Sequence, residues 1–132
     1  MNFERLVEIS RALKDEKQTG RAFHTTFALR KNRIVNIGFN DYNKTHPLTI
    51  NYKNRFGNSY NYVSGIHSES RVVSRLKMDD LSEFTFVNIR IMNDGNLGMS
   101  APCSNCHQLL LKYGVCKLFY SNTLGGFSKL IF

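Results

Sequence analysis

"SAPCSNCHQLL", residues 100–110, sets Cys103 and Cys106 three positions apart, directly after Pro102 and at the head of a short apolar run. Two thiols placed this way have three readings: a disulfide, a redox pair or half of a metal site. The chain carries 3 cysteines, an odd number. Its opening stretch, "MNFERLVEISRALKDEKQ", spreads charge throughout and has no continuous apolar core, so it reads as neither a signal peptide nor a membrane span. The expected setting is the cytoplasm, or a host cytoplasm if the chain is viral, with no membrane partner. Structural disulfides are rare in such a reducing compartment, which weakens the first reading.

Working outward, residues from Cys103 to Tyr113 predict a helix closed by Gly114 as its C-terminal cap. In its first turn the two cysteines face the same way, where unpaired backbone N–H groups and the helix dipole favour thiolate over thiol. "KLFYS" and "FSKLIF" follow as strands, and the "NTLGG" between them is too short for a helical crossover, so they should pair antiparallel. Upstream, "FTFVNIRIM" (84–92) reads as a strand followed by the turn-like "NDGN" and a short link. "GIHSESRVVSRLK" places Ile66, Val72, Val73 and Leu76 at roughly helical intervals. "AFHTTFALR" and "RIVNIGF", separated by Lys31 and Asn32, look like a tight hairpin. Phe3, Leu6, Val7, Ile9, Ala12 and Leu13 predict an amphipathic helix from residue 3 to about 17, with Gly20 just beyond. Alternating helices and strands imply an α/β fold: one mixed five-stranded sheet, helices on both faces and a C-terminal antiparallel hairpin.

The 132 residues suit a single domain, 1–132, and no biased tract suggests disorder. The formal net charge of +8 favours a polyanionic or phosphorylated partner, against the plainer alternative of a basic soluble surface. From Asp41 to Ser64 neither period holds, and the stretch reads as a long loop. There Tyr42, Tyr52, Phe56, Tyr60 and Tyr62 interleave with Lys44, Lys53 and Arg55, a pattern that serves single-stranded nucleic acid. It serves equally a loop packing its own aromatics or a homo-oligomer interface.

Two thiolates do not complete a metal site, since zinc takes four ligands in a structural role or three and a water in a catalytic one. The one other cysteine, Cys116, lies beside an apolar strand and reads as a small buried hydrophobe, and with 3 cysteines in the chain a four-cysteine site is impossible. The best further ligand is His67, opening the second predicted helix, with Glu69 two positions on. H-x-E followed by P-C-x-x-C, each at a helix start with a strand between, is the pattern of zinc nucleobase deaminases. His67, Cys103 and Cys106 would hold zinc and leave a fourth position for water, which the metal acidifies toward about 7. Glu69, outside the ligand set, would move the protons. The redox reading fits less well, because the motif is not near the N-terminus in a thioredoxin-like setting and has a natural third ligand.

From about Arg21 to Phe132 the chain resembles the cytidine and deoxycytidylate deaminase superfamily. "IGFN" is similar to its G-x-N element, "HSE" to its H-A-E and "APCSNC" to its P-C-x-x-C. "NKTHP", "LGMSAPCSNC" and "FYSNTLGGF" resemble small phage-type deoxycytidylate deaminases. The resemblance implies zinc as cofactor, Asn40 at the substrate's sugar, the backbone around Ala101 at the base edge, and His46 in a loop that enters the site. Ser68 stands where the family has alanine, adding a hydroxyl beside the site, and the terminal hairpin is more like cytidine deaminases. "MSAPC" lacks the T-x-E-P-C of transfer-RNA adenosine deaminases, so cytosine is the expected base. The implied reaction is hydrolysis of a cytidine or deoxycytidine nucleotide, dCMP-like, to its uracil counterpart. A cytosine deaminase of single-stranded DNA or RNA is the alternative, and an inert zinc-bearing partner subunit a third reading. His107 is either a phosphate contact or a solvated helix residue, His24 reads as structural, and Arg71 with Arg75 reads as one solvated helix face.

Overall fold

The computed structural model describes residues 1–17, 22–40 and 67–132. The expected loop from Asp41 to Ser64, with His46, and Gly20 lie outside them. Two runs of aromatic and β-branched residues form β1 (Phe23–Arg30) and β2 (Arg33–Phe39), joined by Lys31 and Asn32 at φ 53° and 63°. Two left-handed residues in succession make the turn whose twist matches that of the strands it joins.

β1 pairs antiparallel with β2 on one side and with β3 (Thr85–Ile91) on the other. β3 is parallel to β5 (Leu118–Ser121), which pairs antiparallel with β6 (Phe127–Lys129) as the short connection requires. The sheet has six strands rather than the expected five: β4 (Leu97–Gly98) pairs with β3 at Ile91 and Arg90, beside the order β2-β1-β3-β5-β6. At 2 residues it is too short to show an alternating pattern, which is why the sequence reads there as a link.

Helices cover both faces. α1 (Phe3–Lys17) sets Leu6 and Val7 against Phe27, Leu29, Val87, Ile89 and Ile91. On the opposite face α2 (Ser68–Leu76) and α3 (Ser104–Lys112) bring Val72, Val73 and Leu110 onto Ala28, Phe86 and Leu118. Strand alternation puts His24, Thr26 and Ala28 of β1 on that second face, opposite Arg90, Asn88 and Phe86 of β3. The face is therefore apolar at the Ala28–Phe86 end and polar toward His24 and Arg90. Because α3 connects two parallel strands, its N-terminus lies at the C-terminal end of β3, over the polar end.

Gly38 lets α2 approach: a Cβ there would lie 2.8 Å from Ser68 O and from Val72 Cγ2. Gly114, at φ 82°, follows the C-cap Tyr113 of α3. The turn after it sets the side-chain phase, so that Val115 and Leu118 point inward while Cys116 is exposed, not buried as its apolar neighbours suggest. Arg71 and Arg75 likewise differ from a purely solvated face. The Arg71 guanidinium lies 4.8 Å from the Phe39 ring centroid, and Arg75 Nη1 donates to Ile37 O at 3.0 Å, tying α2 to β2. No helix among the described residues is long and apolar enough to cross a membrane.

Candidate metal centre

His67 and Cys103 occupy equivalent places, the extended N-cap residues of α2 and α3, and Cys106 sits one turn into α3. Cys103 Sγ accepts from the Cys106 backbone N–H at 3.5 Å, which orients its sulfur over the helix start. His67 Nδ1 lies 3.2 Å from Cys106 Sγ and 3.6 Å from Cys103 Sγ, and the three donor atoms all fall within 4.8 Å of one another. A tetrahedral zinc with the usual bond lengths would separate nitrogen from sulfur by about 3.6 Å, so the donor set fits that ion in chemistry and in spacing.

The charges around these donors are coupled. A hydrogen bond from the Cys106 thiol, with help from His67, holds the Cys103 thiol down to about 4. The same thiol–thiolate bond, together with burial, pushes Cys106 up. His67 is raised, mainly by its hydrogen bond to Cys103 and against its burial. A cation at this point would take the place of the protons on His67 and Cys106.

Glu69 is outside the donor cluster and 6% exposed. Burial raises its carboxyl above the ordinary range, opposed in part by His67. Both oxygens are held: Ser68 Oγ donates to Oε1 at 3.2 Å and Asn88 Nδ2 donates to Oε2 at 2.9 Å. Asn88 is fixed in turn by Thr26, whose hydroxyl donates to Oδ1 at 2.7 Å, and by a second bond from Nδ2 to Ser100 O at 3.2 Å. Ser68 Oγ also lies 2.7 Å from Thr26 Oγ1. The hydroxyl that replaces the expected alanine thus joins the carboxyl's supports without reaching the metal donors. Ser100 Oγ donates to Asn88 O at 2.9 Å, so the chain leading into Cys103 is pinned to the same strand.

Thr26, Asn88 and Ser100 are absent from the sequence-based site. The available signal was an asparagine inside the apolar run "FVNIRI" and a threonine in β1, both on one sheet face. Asn40, at the end of β2, accepts from His24 N through Oδ1 at 3.0 Å and donates its own N–H to His24 O at 3.2 Å. Its amide nitrogen is the group left to meet a ligand. Ala101 is exposed, two residues before Cys103. His107 turns to the C-terminal Phe132, edge to face at 5.2 Å between centroids, and its backbone N–H bonds Cys103 O.

His24 belongs to this neighbourhood more closely than a structural reading implies. Burial first, then the charges of Arg90 and His67, lower it to about 4, while Cys103 acts the other way. It is therefore neutral at neutral pH. Its cross-strand partner Arg90 has a buried Nε with no hydrogen-bond acceptor. The chain matches no protein-family model, curated protein or solved structure at a significant level.

Proposed function

We propose that the protein is a zinc-dependent cytosine deaminase of the cytidine and deoxycytidylate deaminase type, hydrolysing a cytidine or deoxycytidine nucleotide to the uracil form with release of ammonia. The observation that carries this reading is a His67–Cys103–Cys106 donor set with a buried carboxyl, Glu69, beside it but outside it. A purely structural zinc site has no chemical use for that carboxyl.

His67, Cys103 and Cys106 would hold the metal, which when bound supplies Lewis acidity toward water. The remaining steps belong to the chain. Glu69 takes a proton from the attacking water and passes it to the ring nitrogen, then delivers a proton to the departing amino group, so that one water is consumed and one ammonia leaves. A carboxyl raised by burial suits this exchange, because it holds an accepted proton more readily than an exposed one. Ser68 and Asn88 keep its oxygens in place. The amide nitrogen of Asn40, the backbone around Ala101, and His46 are the proposed contacts to the substrate.

The net charge of +8 favours one second reading, the same chemistry on cytosine in single-stranded DNA or RNA. The test is ammonia release by the zinc-loaded protein from deoxycytidine, its mono- and triphosphates, and a cytosine-containing single strand. Turnover of a mononucleotide is expected, and Glu69→Ala should keep its zinc yet lose about 10²- to 10⁴-fold in rate. No ammonia from any of the four substrates would overturn the reading.

A further inference from the structure

We propose that Arg90, with His24 beside it, forms an anion subsite at the mouth of the centre and takes the phosphate group of the substrate. This rests on the cytosine deaminase reading for the identity of the molecule that carries the phosphate.

The argument begins with an uncompensated charge. Arg90 lies on the α2/α3 face of the sheet, two positions beyond Asn88, which bonds the Glu69 carboxyl. It is half-buried, and a guanidinium cannot lose its proton to escape burial. No carboxylate pairs with it among the described residues, and its buried Nε meets no acceptor. A half-buried guanidinium without a partner is destabilising, and since its Nε is closed to solvent, an external acceptor would engage the outer Nη groups.

The described neighbours of Arg90 do not supply one. Across the strand pair stands His24, which brings no carboxylate. Asn88 spends its amide on Glu69, Thr26 and Ser100, and the oxygens of Glu69 are taken by Ser68 and Asn88. Ser121 Oγ accepts the Arg90 backbone N–H at 3.0 Å and donates to Gly98 O at 2.8 Å. On the other side is Gly98, where a Cβ would come within 3.1 Å of Arg90 Cδ, so the arginine stem lies across a position without a side chain.

The cation is close to the chemistry: it shares a sheet face with Asn88, two positions back along β3, whose amide bonds the Glu69 carboxyl at 2.9 Å. Asn40, the proposed sugar contact, is hydrogen-bonded to the backbone of His24. With the base at the metal centre and the sugar at Asn40, phosphate is the only part of a cytosine nucleotide that is anionic at neutral pH. The planar fork of an arginine matches its oxygens, and a neutral histidine adds one further N–H.

The experiment has two independent readouts. In turnover, kcat/KM for deoxycytidine 5′-monophosphate should exceed that for deoxycytidine. Arg90→Gln should lower this ratio by about 10- to 150-fold, the range for losing hydrogen bonds to a charged group. Arg90→Lys, which keeps charge without the fork, should fall between the two and serves if Arg90→Gln does not fold. Calorimetry on zinc-loaded Glu69→Ala should show the monophosphate binding more tightly than the nucleoside, with the difference lost on adding Arg90→Gln. A cytosine-containing single strand that outbinds the monophosphate, with the excess removed by Arg90→Gln, assigns the same subsite to a phosphodiester. Equal use and equal binding of nucleoside and monophosphate, or a preference unaffected by Arg90, would overturn the subsite while leaving the deaminase reading intact. Phosphate-selective binding through Arg90 with no ammonia from any substrate would do the reverse.

Discussion

An asparagine in the middle of a central strand must find partners for two donors and an acceptor, and Asn88 finds them all within the site. Its Oδ1 receives Thr26, and its two N–H groups reach Glu69 and Ser100. Removing it should therefore act through Glu69 and leave the metal alone. Asn88→Ala is expected to retain one zinc per chain and a similar KM while kcat falls at least ~10-fold, in line with the ~1–3 kcal/mol of an unsatisfied buried partner. The decisive comparison is the same substitution in the Glu69→Ala background, where the residual rate should no longer respond. An equal loss there would reduce Asn88 to a general support of the fold. The gathering of His67, Cys103 and Cys106 was legible in the sequence because each sits at a helix start, in the H-x-E and P-C-x-x-C pattern. Asn88 and Thr26 were not, because their meaning arises only when β1 and β3 are paired and α2 is laid across them. Cys116 was misread for a related reason: the left-handed turn at Gly114 resets which residues face inward, and hydropathy carries no record of that phase.

At the level of elements, most strands and helices with a clear period appeared close to their expected bounds; the last strand stops at Lys129, short of the "FSKLIF" expected, and β4 was not foreseen, since two residues contain no period to read. The arginines of α2 read from sequence as a solvated face because helical spacing aligns them, and only the sheet shows that β2 runs beneath that face. The β1–β3 pairing has a measurable pH consequence through His24. Its folded value of about 4 is below the ordinary histidine value of 6.5, so above pH 6.5 both states are neutral and the histidine imposes no penalty. As pH falls from 6.5 toward 4 the unfolded chain gains a proton that the folded chain refuses, and stability is lost. At about 1.4 kcal/mol per unit the loss has an upper bound of about 3 kcal/mol. Thermal melts of the metal-free protein should show the wild type losing more stability than His24→Gln over this window. The groups facing His24, namely Arg90, His67 and Cys103, are common to both proteins, so the difference between the curves isolates the histidine. Parallel curves would show that His24 is not held neutral by the strand pair.

For the molecule as a whole, the two hydrophobic clusters are built from opposite sides of the same two strands, β1 and β3, and the metal donors join the only pair of described helices that share a face. The ring of Phe3 stacks on Phe127 at 4.2 Å, so α1 closes the far face against the C-terminal hairpin without help from a metal. On the near face α2 and α3 meet through their starts, where His67, Cys103 and Cys106 gather, while the apolar contacts of both clusters lie elsewhere on the sheet. Zinc should therefore add to a fold that already exists rather than create it, unlike small domains that are unfolded without metal. Ligand linkage sets the size: free zinc at a hundredfold its Kd adds about 2.7 kcal/mol if the unfolded chain does not compete. With about 2.1 cal/mol/K of unfolding entropy per residue, a domain of this length should gain about 10 °C in Tm. A single cooperative melt without metal is expected, moving upward by about that amount on titration with zinc and returning on addition of a chelator. Cys103→Ala should melt near the metal-free wild type and fail to respond, because two donors from α2 and α3 remain where three are needed. A metal-free protein with no cooperative transition would place the zinc in the fold's core requirements, and an unchanged response in Cys103→Ala would remove that cysteine from the centre.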